Sequence, residues 1–83
     1  ALTTLIDEVA FGRLNVRLAH RLLELARQDT LHCTHQDLAV ELGSAREVVS
    51  RALKDFERHG WVRLARGHID LLDRSALEKL AKG

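Results

Sequence analysis

The chain has one cysteine, no long apolar run, no glycine-rich phosphate loop, and no nucleophile with a histidine and a carboxylate at catalytic spacing. Each absence excludes a class of protein. A lone Cys33 cannot form an internal disulfide and accords with a reducing compartment. Without a stretch of about eighteen apolar residues no helix of this chain is expected to span a bilayer. No signal peptide opens it, so the expectation is a cytoplasmic protein with no membrane partner. The missing nucleophile and phosphate loop argue against an enzyme and leave no catalytic residue to name. Eighty-three residues also exclude a multi-domain enzyme, leaving one core of about three or four elements. Repeats, linkers and low-complexity tracts are absent as well.

A metal site is not expected either. The segment "HCTH" places His32, Cys33 and His35 close together. On a strand-like segment, however, His32 and Cys33 point to opposite faces, and no second cluster completes a tetrahedron. Cys33 reads as a small core residue, and His20, His59 and His68 as scattered surface or interface residues.

What is present is a pattern of helices with an uneven charge distribution. Residues 44–66 hold six cations, Arg46, Arg51, Lys54, Arg58, Arg63 and Arg66, against three acids, Glu47, Asp55 and Glu57. Six minus three is a local excess of three; with a total of +1 the other residues carry a net −2. Such a concentration is the electrostatic footprint of a phosphate-binding face, although uneven surface charge alone would also produce it.

Apolar spacing from Leu2 to Leu25 predicts helix with an interruption near Gly12, where Asn15 caps a new segment. In that segment Leu18, Leu22 and Leu25 share an inward face, while Arg17, Arg21 and Arg27 stay in water. The short stretch "LHCT" suits a brief strand with Leu31 and Cys33 facing in. Thr34 then caps "HQDLAVELG", with Asp37 standing in for the usual Glu of a capping box. Gly43 suits a tight helix-to-helix turn. A helix over about residues 44–59 buries Val49, Ala52, Leu53 and Phe56 and ends at His59 and Gly60. Arg66 and Gly67 predict a two-residue hairpin turn, and Asp73 caps a last helix, "RSALEKLA".

The order helix, short strand, helix, turn, helix, hairpin, helix is that of a winged helix-turn-helix, a mainly α fold with a small β-hairpin. Small Ala39 and branched Val49 flank the turn and let two helices cross closely. Opposite the Val49–Phe56 stripe, positions 46, 47, 50, 51 and 54 span about 140° of helix. Arg46 and Arg51 suit guanine O6 and N7, and Glu47 suits the cytosine amino group. The competing account is that Glu47 and Arg51, at i and i+4, form only a surface ion pair.

From "VAFGRLNVRLA" through "THQDLAVELGSAREVVSRALKDFERHGWV" to "GHIDLLDRSALEKLA" the chain resembles the C-terminal DNA-binding domain of the CRP/FNR family of bacterial transcription regulators. Thr34, Gln36, Leu38, Ala39, Gly43, Arg46, Glu47, Val49, Ser50, Arg51, Leu53 and Phe56 fall at family positions. The resemblance implies sequence-specific binding of double-stranded DNA by a homodimer, with the second helix of the motif in the major groove. It implies that Arg46, Glu47 and Arg51 meet base edges. The set Arg46, Glu47 and Arg51 resembles the cyclic-AMP-responsive branch; Glu47, Ser50 and Arg51 resemble the oxygen-sensing branch, which adds Ser50 to the base-reading candidates. Thr34, Gln36, Ser44, Lys54 and the wing residue Arg66 are the phosphate candidates. Thr34 is equally a cap.

Residues 1–14 then correspond to the end of a dimerisation helix and a hinge, and residues 15–83 to the DNA-binding domain. The chain reads as a piece of a longer regulator. No cofactor is expected within it, because the family's effector binds a separate sensory barrel. Leu2, Leu5 and Val9 are the candidates for dimer contacts. RNA polymerase is a further candidate partner, although "RQDTLH" is shorter than the loop that touches it in the cyclic-AMP-responsive branch. A different class stays open: a winged helix used as a protein-interaction or dimerisation module, which an apolar patch on the polar helix face would favour.

Overall fold

The computed structural model describes residues 2–82, and the side chains of residues 13–82. The first helix, α1 (Leu2–Leu25), runs through Gly12 and Asn15 without a break. This corrects the expected interruption. Leu14, Leu18 and Leu22 continue one buried stripe across the supposed cap, and a second helix start would strand backbone N–H groups that the unbroken helix satisfies. Asn15 caps nothing; its side-chain oxygen is buried without a hydrogen-bond partner. Leu2, Leu5 and Val9 lie outside the described side chains.

One further expectation for α1 changes. Leu25 is 37% exposed rather than inward, because the helix ends there and the chain turns away. Arg17 and Arg27 are exposed as expected and Arg21 is partly so, but two of them also find partners within the chain: Arg17 donates to the Leu42 carbonyl at 2.8 Å and Arg21 pairs with Glu41 at 2.6 Å. Both tie α1 to the end of the next helix.

The connection after α1 is tight. Arg27 and Thr30 exchange backbone hydrogen bonds across Gln28 and Asp29, whose φ values of 55° and 62° are both left-handed. Two such residues in a two-residue loop give the twist of a primed hairpin turn. It is built here without glycine, at a steric cost that the anchoring contacts offset. The Asp29 carbonyl accepts from Leu71 and its carboxylate from Arg74.

The strand β1 (Thr30–Leu31) follows, then α2 (His35–Leu42), α3 (Arg46–Arg58), the hairpin β2 (Val62–Ala65) and β3 (His68–Leu71), and α4 (Arg74–Lys82). The expected hairpin is thus the larger part of a three-stranded antiparallel sheet ordered β1-β3-β2. Leu31 pairs with Ile69, and Leu64 pairs with Ile69 from the other side. Period-two alternation therefore turns Leu31, Ile69, Leu71 and Val62 into the core and Thr30, Asp70 and Arg63 outward. Cys33 lies beyond β1 and is half-buried against the core. In the hairpin turn only Gly67 is left-handed, at φ 80°, so the turn is not of the type that needs both central residues there.

Thr34 and Asp37 form the reciprocal capping box at the start of α2. Gly43, at φ 64°, closes its other end. There Ser44 N–H bonds to the Ala39 carbonyl and Gly43 N–H to that of Val40, the pattern of a Schellman cap. Arg17 takes the Leu42 carbonyl. Because residues 43 and 44 are spent on that turn, α3 begins at Arg46, two residues later than expected. It ends on a second such cap, with Gly60 at φ 78° and Trp61 N–H on the Phe56 carbonyl. Asp73 accepts from Ala76 N–H and starts α4 as expected.

The core gathers Val49, Ala52, Leu53 and Phe56 of α3, all with no exposed surface, under Leu18 and Leu22 of α1 and Leu77 of α4. Fully burying each Leu or Phe side chain stabilises the fold by about 1.5–3 kcal/mol before entropy is counted. The consequence for function is rigidity. α3 is held along one side by core packing, so its other side is presented as a fixed array.

Candidate nucleic-acid interface

The outward side of α3 carries Arg46, Glu47, Ser50, Arg51, Lys54 and Arg58, which together with Asp55 line one shallow, open hollow. All but Ser50 and Asp55 are exposed. Five of the expected site residues are therefore neighbours on one surface. Arg58 belongs with them and was missed, although its place seven residues after Arg51 repeats the helix face and was the available signal.

One acid of this face differs from those of the other described residues. Elsewhere among the described residues, acids have partners: Glu24 with His20, Asp29 with Arg74, Asp37 with the Thr34 N–H, Glu41 with Arg21, and Asp70 with Arg63. Asp55 lies 3.9 Å from His59, Glu57 accepts from Leu64 N–H, Asp73 from Ala76 N–H, and Glu78 pairs with Arg74. Among the described acidic side chains only Glu47 has neither a hydrogen bond nor an ion pair. Arg46, Arg51, Lys54, Arg58 and Arg66 are equally without one. The proposed Glu47 and Arg51 surface pair is not formed.

Ser50 is placed differently. Its hydroxyl lies 2.8 Å from Nδ1 of His35, the first residue of α2. Burial, and after it the charges of Arg46 and Lys54, push the His35 imidazolium below the ordinary histidine range. His35 was read in the sequence only as part of a discarded metal cluster, and no local signal points to Ser50, fifteen positions away.

The phosphate candidates are more dispersed. Thr34 accepts the Asp37 N–H through Oγ1 at 3.0 Å, which leaves the hydroxyl proton free to donate. Gln36 is exposed on the first turn of α2, and Ser44 is half-buried in the turn. Arg66 projects from the tip of the β2–β3 hairpin, whose first strand is fixed to α3 by the Glu57 to Leu64 hydrogen bond of 3.0 Å. Ala45, at the start of α3, supplies no side-chain cap.

The cluster that suggested a metal is dispersed by the fold. His32 lies against His68 with ring centroids 5.9 Å apart, and His35 turns to Ser50. Cys33 packs on the core, where burial and then Asp37 push its thiol up. No described helix is long and apolar enough to cross a membrane. Of the exposed large apolar side chains described, Leu25, Val40, Val48 and Leu72, only Val48 lies on α3.

Residues 16–80 match the Crp-like helix-turn-helix domain family. The chain is 36% identical to the transcriptional regulator SdrP of Thermus thermophilus, over 93% of its own length and 43% of that protein's. It is 35% identical to the cyclic AMP receptor protein of the same organism, over 94% and 38% respectively. The crystal structure of the T. thermophilus catabolite activator protein superposes with a TM-score of 0.87 at 29% identity, covering 99% of this chain and 40% of that one. The reduced CO-sensing protein of R. rubrum reaches 0.89 at 24% identity, a likeness of fold. The chain thus spans about two-fifths of the length of the relatives it matches.

Proposed function

Since the chain belongs to the Crp-like helix-turn-helix family, we propose that it is the DNA-binding output domain of a dimeric transcription regulator, with α3 in the major groove. The observation that carries this is the unpaired set on α3. An acid left without a partner among unpaired cations, on a helix whose opposite side is locked in the core, suits a surface whose partners come from outside. Arg46 and Arg51 are the guanine readers, Glu47 accepts from a cytosine amino group, and Ser50 completes the base-reading set. Lys54, Thr34, Gln36, Ser44 and Arg66 meet phosphates and fix the register.

The absence of an apolar patch on the described face of α3 favours DNA over a protein partner. In the whole protein, residues 1–14 end a dimerisation helix, and two copies read half-sites about one helical turn apart. The regulator works in the cytoplasm and has no enzymatic activity of its own, and RNA polymerase is a further candidate partner. Selection of bound duplexes from a random library, with two copies of the chain held as a dimer, tests the reading. Recovery of a two-fold symmetric motif with G·C pairs at fixed positions supports it, whereas recovery of unrelated sequences rejects it.

A further inference from the structure

We propose that His35 is a positioning residue for base reading: it holds the Ser50 hydroxyl, and its protonation state decides whether Ser50 offers the DNA an acceptor or a donor. This rests on the DNA-reading function above and adds to it. The geometry is a half-buried ring at the start of α2 whose Nδ1 lies 2.8 Å from Ser50 Oγ, with Ser50 on the hollow shared by Arg46, Glu47 and Arg51.

A hydroxyl has one proton and two lone pairs. When the ring is neutral and protonated on Nε2, the form imidazole side chains favour in water, Nδ1 accepts the Ser50 proton. Ser50 then presents only lone pairs, which suit the amino groups of adenine or cytosine. When the ring is charged, Nδ1–H donates into Ser50 Oγ and the hydroxyl proton is released. Ser50 then suits guanine O6 or N7, or thymine O4. No bond other than hydrogen bonds changes.

The charges acting on the ring are Arg46 and Lys54, both on α3, and with burial they favour its neutral form in the free chain. Thr34 and Gln36, the two proposed phosphate contacts on either side of His35, would bring phosphate close to the ring. Phosphate reverses the sign of the local field and favours the charged form. DNA binding is therefore expected to take up a proton, and base preference at the Ser50 position to depend on pH.

The test has two arms. The first uses the free chain: long-range imidazole NMR is expected to show a neutral His35 with unprotonated Nδ1, shifted in Ser50→Ala. A proton on Nδ1 in the neutral ring, or no response to Ser50→Ala, overturns the proposal whether or not the chain binds DNA. The second measures binding to half-site duplexes carrying each of the four base pairs in turn, at about pH 5.5 and about pH 8, a range that spans the titration of histidine. One position is expected to change preference about fivefold or more between the two conditions, and to lose that change in His35→Gln and Ser50→Ala. A pH-independent preference in the parent chain, while Arg51→Ala still relaxes it, rejects the role of His35 and leaves DNA reading intact. Indifference of all variants to sequence rejects DNA reading itself.

Discussion

Replacing Arg51 with alanine separates reading from folding. Its side chain is exposed and makes no hydrogen bond or ion pair within the chain, so removal should alter stability by no more than about 0.5 kcal/mol. Any larger effect on binding then belongs to the interface. A guanidinium forked onto guanine is worth about 1–3 kcal/mol of discrimination, which at about 1.4 kcal/mol per decade is roughly 5- to 150-fold. On duplexes lacking that guanine the same substitution removes only one charge near the backbone, and its effect should shrink as salt rises. Fluorescence anisotropy on a matched duplex, a duplex with that one pair changed, and a scrambled duplex reads all three. The wild-type preference for the matched pair should disappear in the variant. Equal losses on matched and scrambled duplexes would refute the assignment of Arg51 to a base and return it to the phosphates.

Arg66→Ala, at the tip of the hairpin, should weaken all sequences alike and lower the slope of log affinity against log salt by about one, as titrations at several salt concentrations will show. Glu47→Ala should relax base preference at one position while leaving binding to scrambled DNA as strong or stronger; a drop on both would contradict a carboxylate that reads cytosine. Phe56→Ala, at a side chain with no exposed surface that packs at 5.4 Å against Trp61, should cost about 3–5 kcal/mol in urea unfolding. A loss below about 1 kcal/mol would remove Phe56 from the core. Acidification should lower the melting temperature in two stages. The depressed His35 binds fewer protons folded than unfolded, so stability falls as pH drops below about 6.5. Asp70, held down by hydrogen bonds from Arg63 and then Thr30, adds a second fall below about pH 4. A flat profile in wild type between about pH 7 and pH 5 would contradict the first stage.

The parts of the fold that were legible are those whose cause is local. Thr34 with Asp37, Gly43, Gly60 and Asp73 each act within a few residues of their own position, and all four sit where the spacing predicts. Val49, Ala52, Leu53 and Phe56 were legible because a helix repeats its inward face. What was not legible depends on partners distant in sequence. Asn15 looked like a cap because capping is a local preference, but burial of Leu14 beside it decided for a continuous helix. The left-handed turn at Gln28 and Asp29 carries no glycine to announce it, and its anchors, Leu71 and Arg74, come from the other end of the chain. The site divides in the same way. The face of α3 was readable from its period, whereas the bond from His35 to Ser50 exists only because α2 and α3 cross.

Under the DNA-reading function proposed above, the unpaired Glu47 bears on how specificity would arise. A carboxylate pushed into a groove lined by phosphates gains nothing from the electrostatic attraction that serves every cation around it. It is tolerated only where a base offers an amino hydrogen; opposite any other edge it is desolvated, unpartnered and near negative charge, and such a group costs more than a lost hydrogen bond. On the DNA-reading function proposed above, Glu47 would contribute mainly by penalising wrong sequences, while Arg46, Arg51 and Lys54 would supply attraction that is partly indifferent to sequence. The two kinds of residue need each other on the same face. Without the cations the acid would weaken all binding, and without the acid the cations would hold the domain on much of the DNA it met. This division requires that Glu47 not be neutralised from within the chain, and the structure leaves it without the internal partner that the other described acids have.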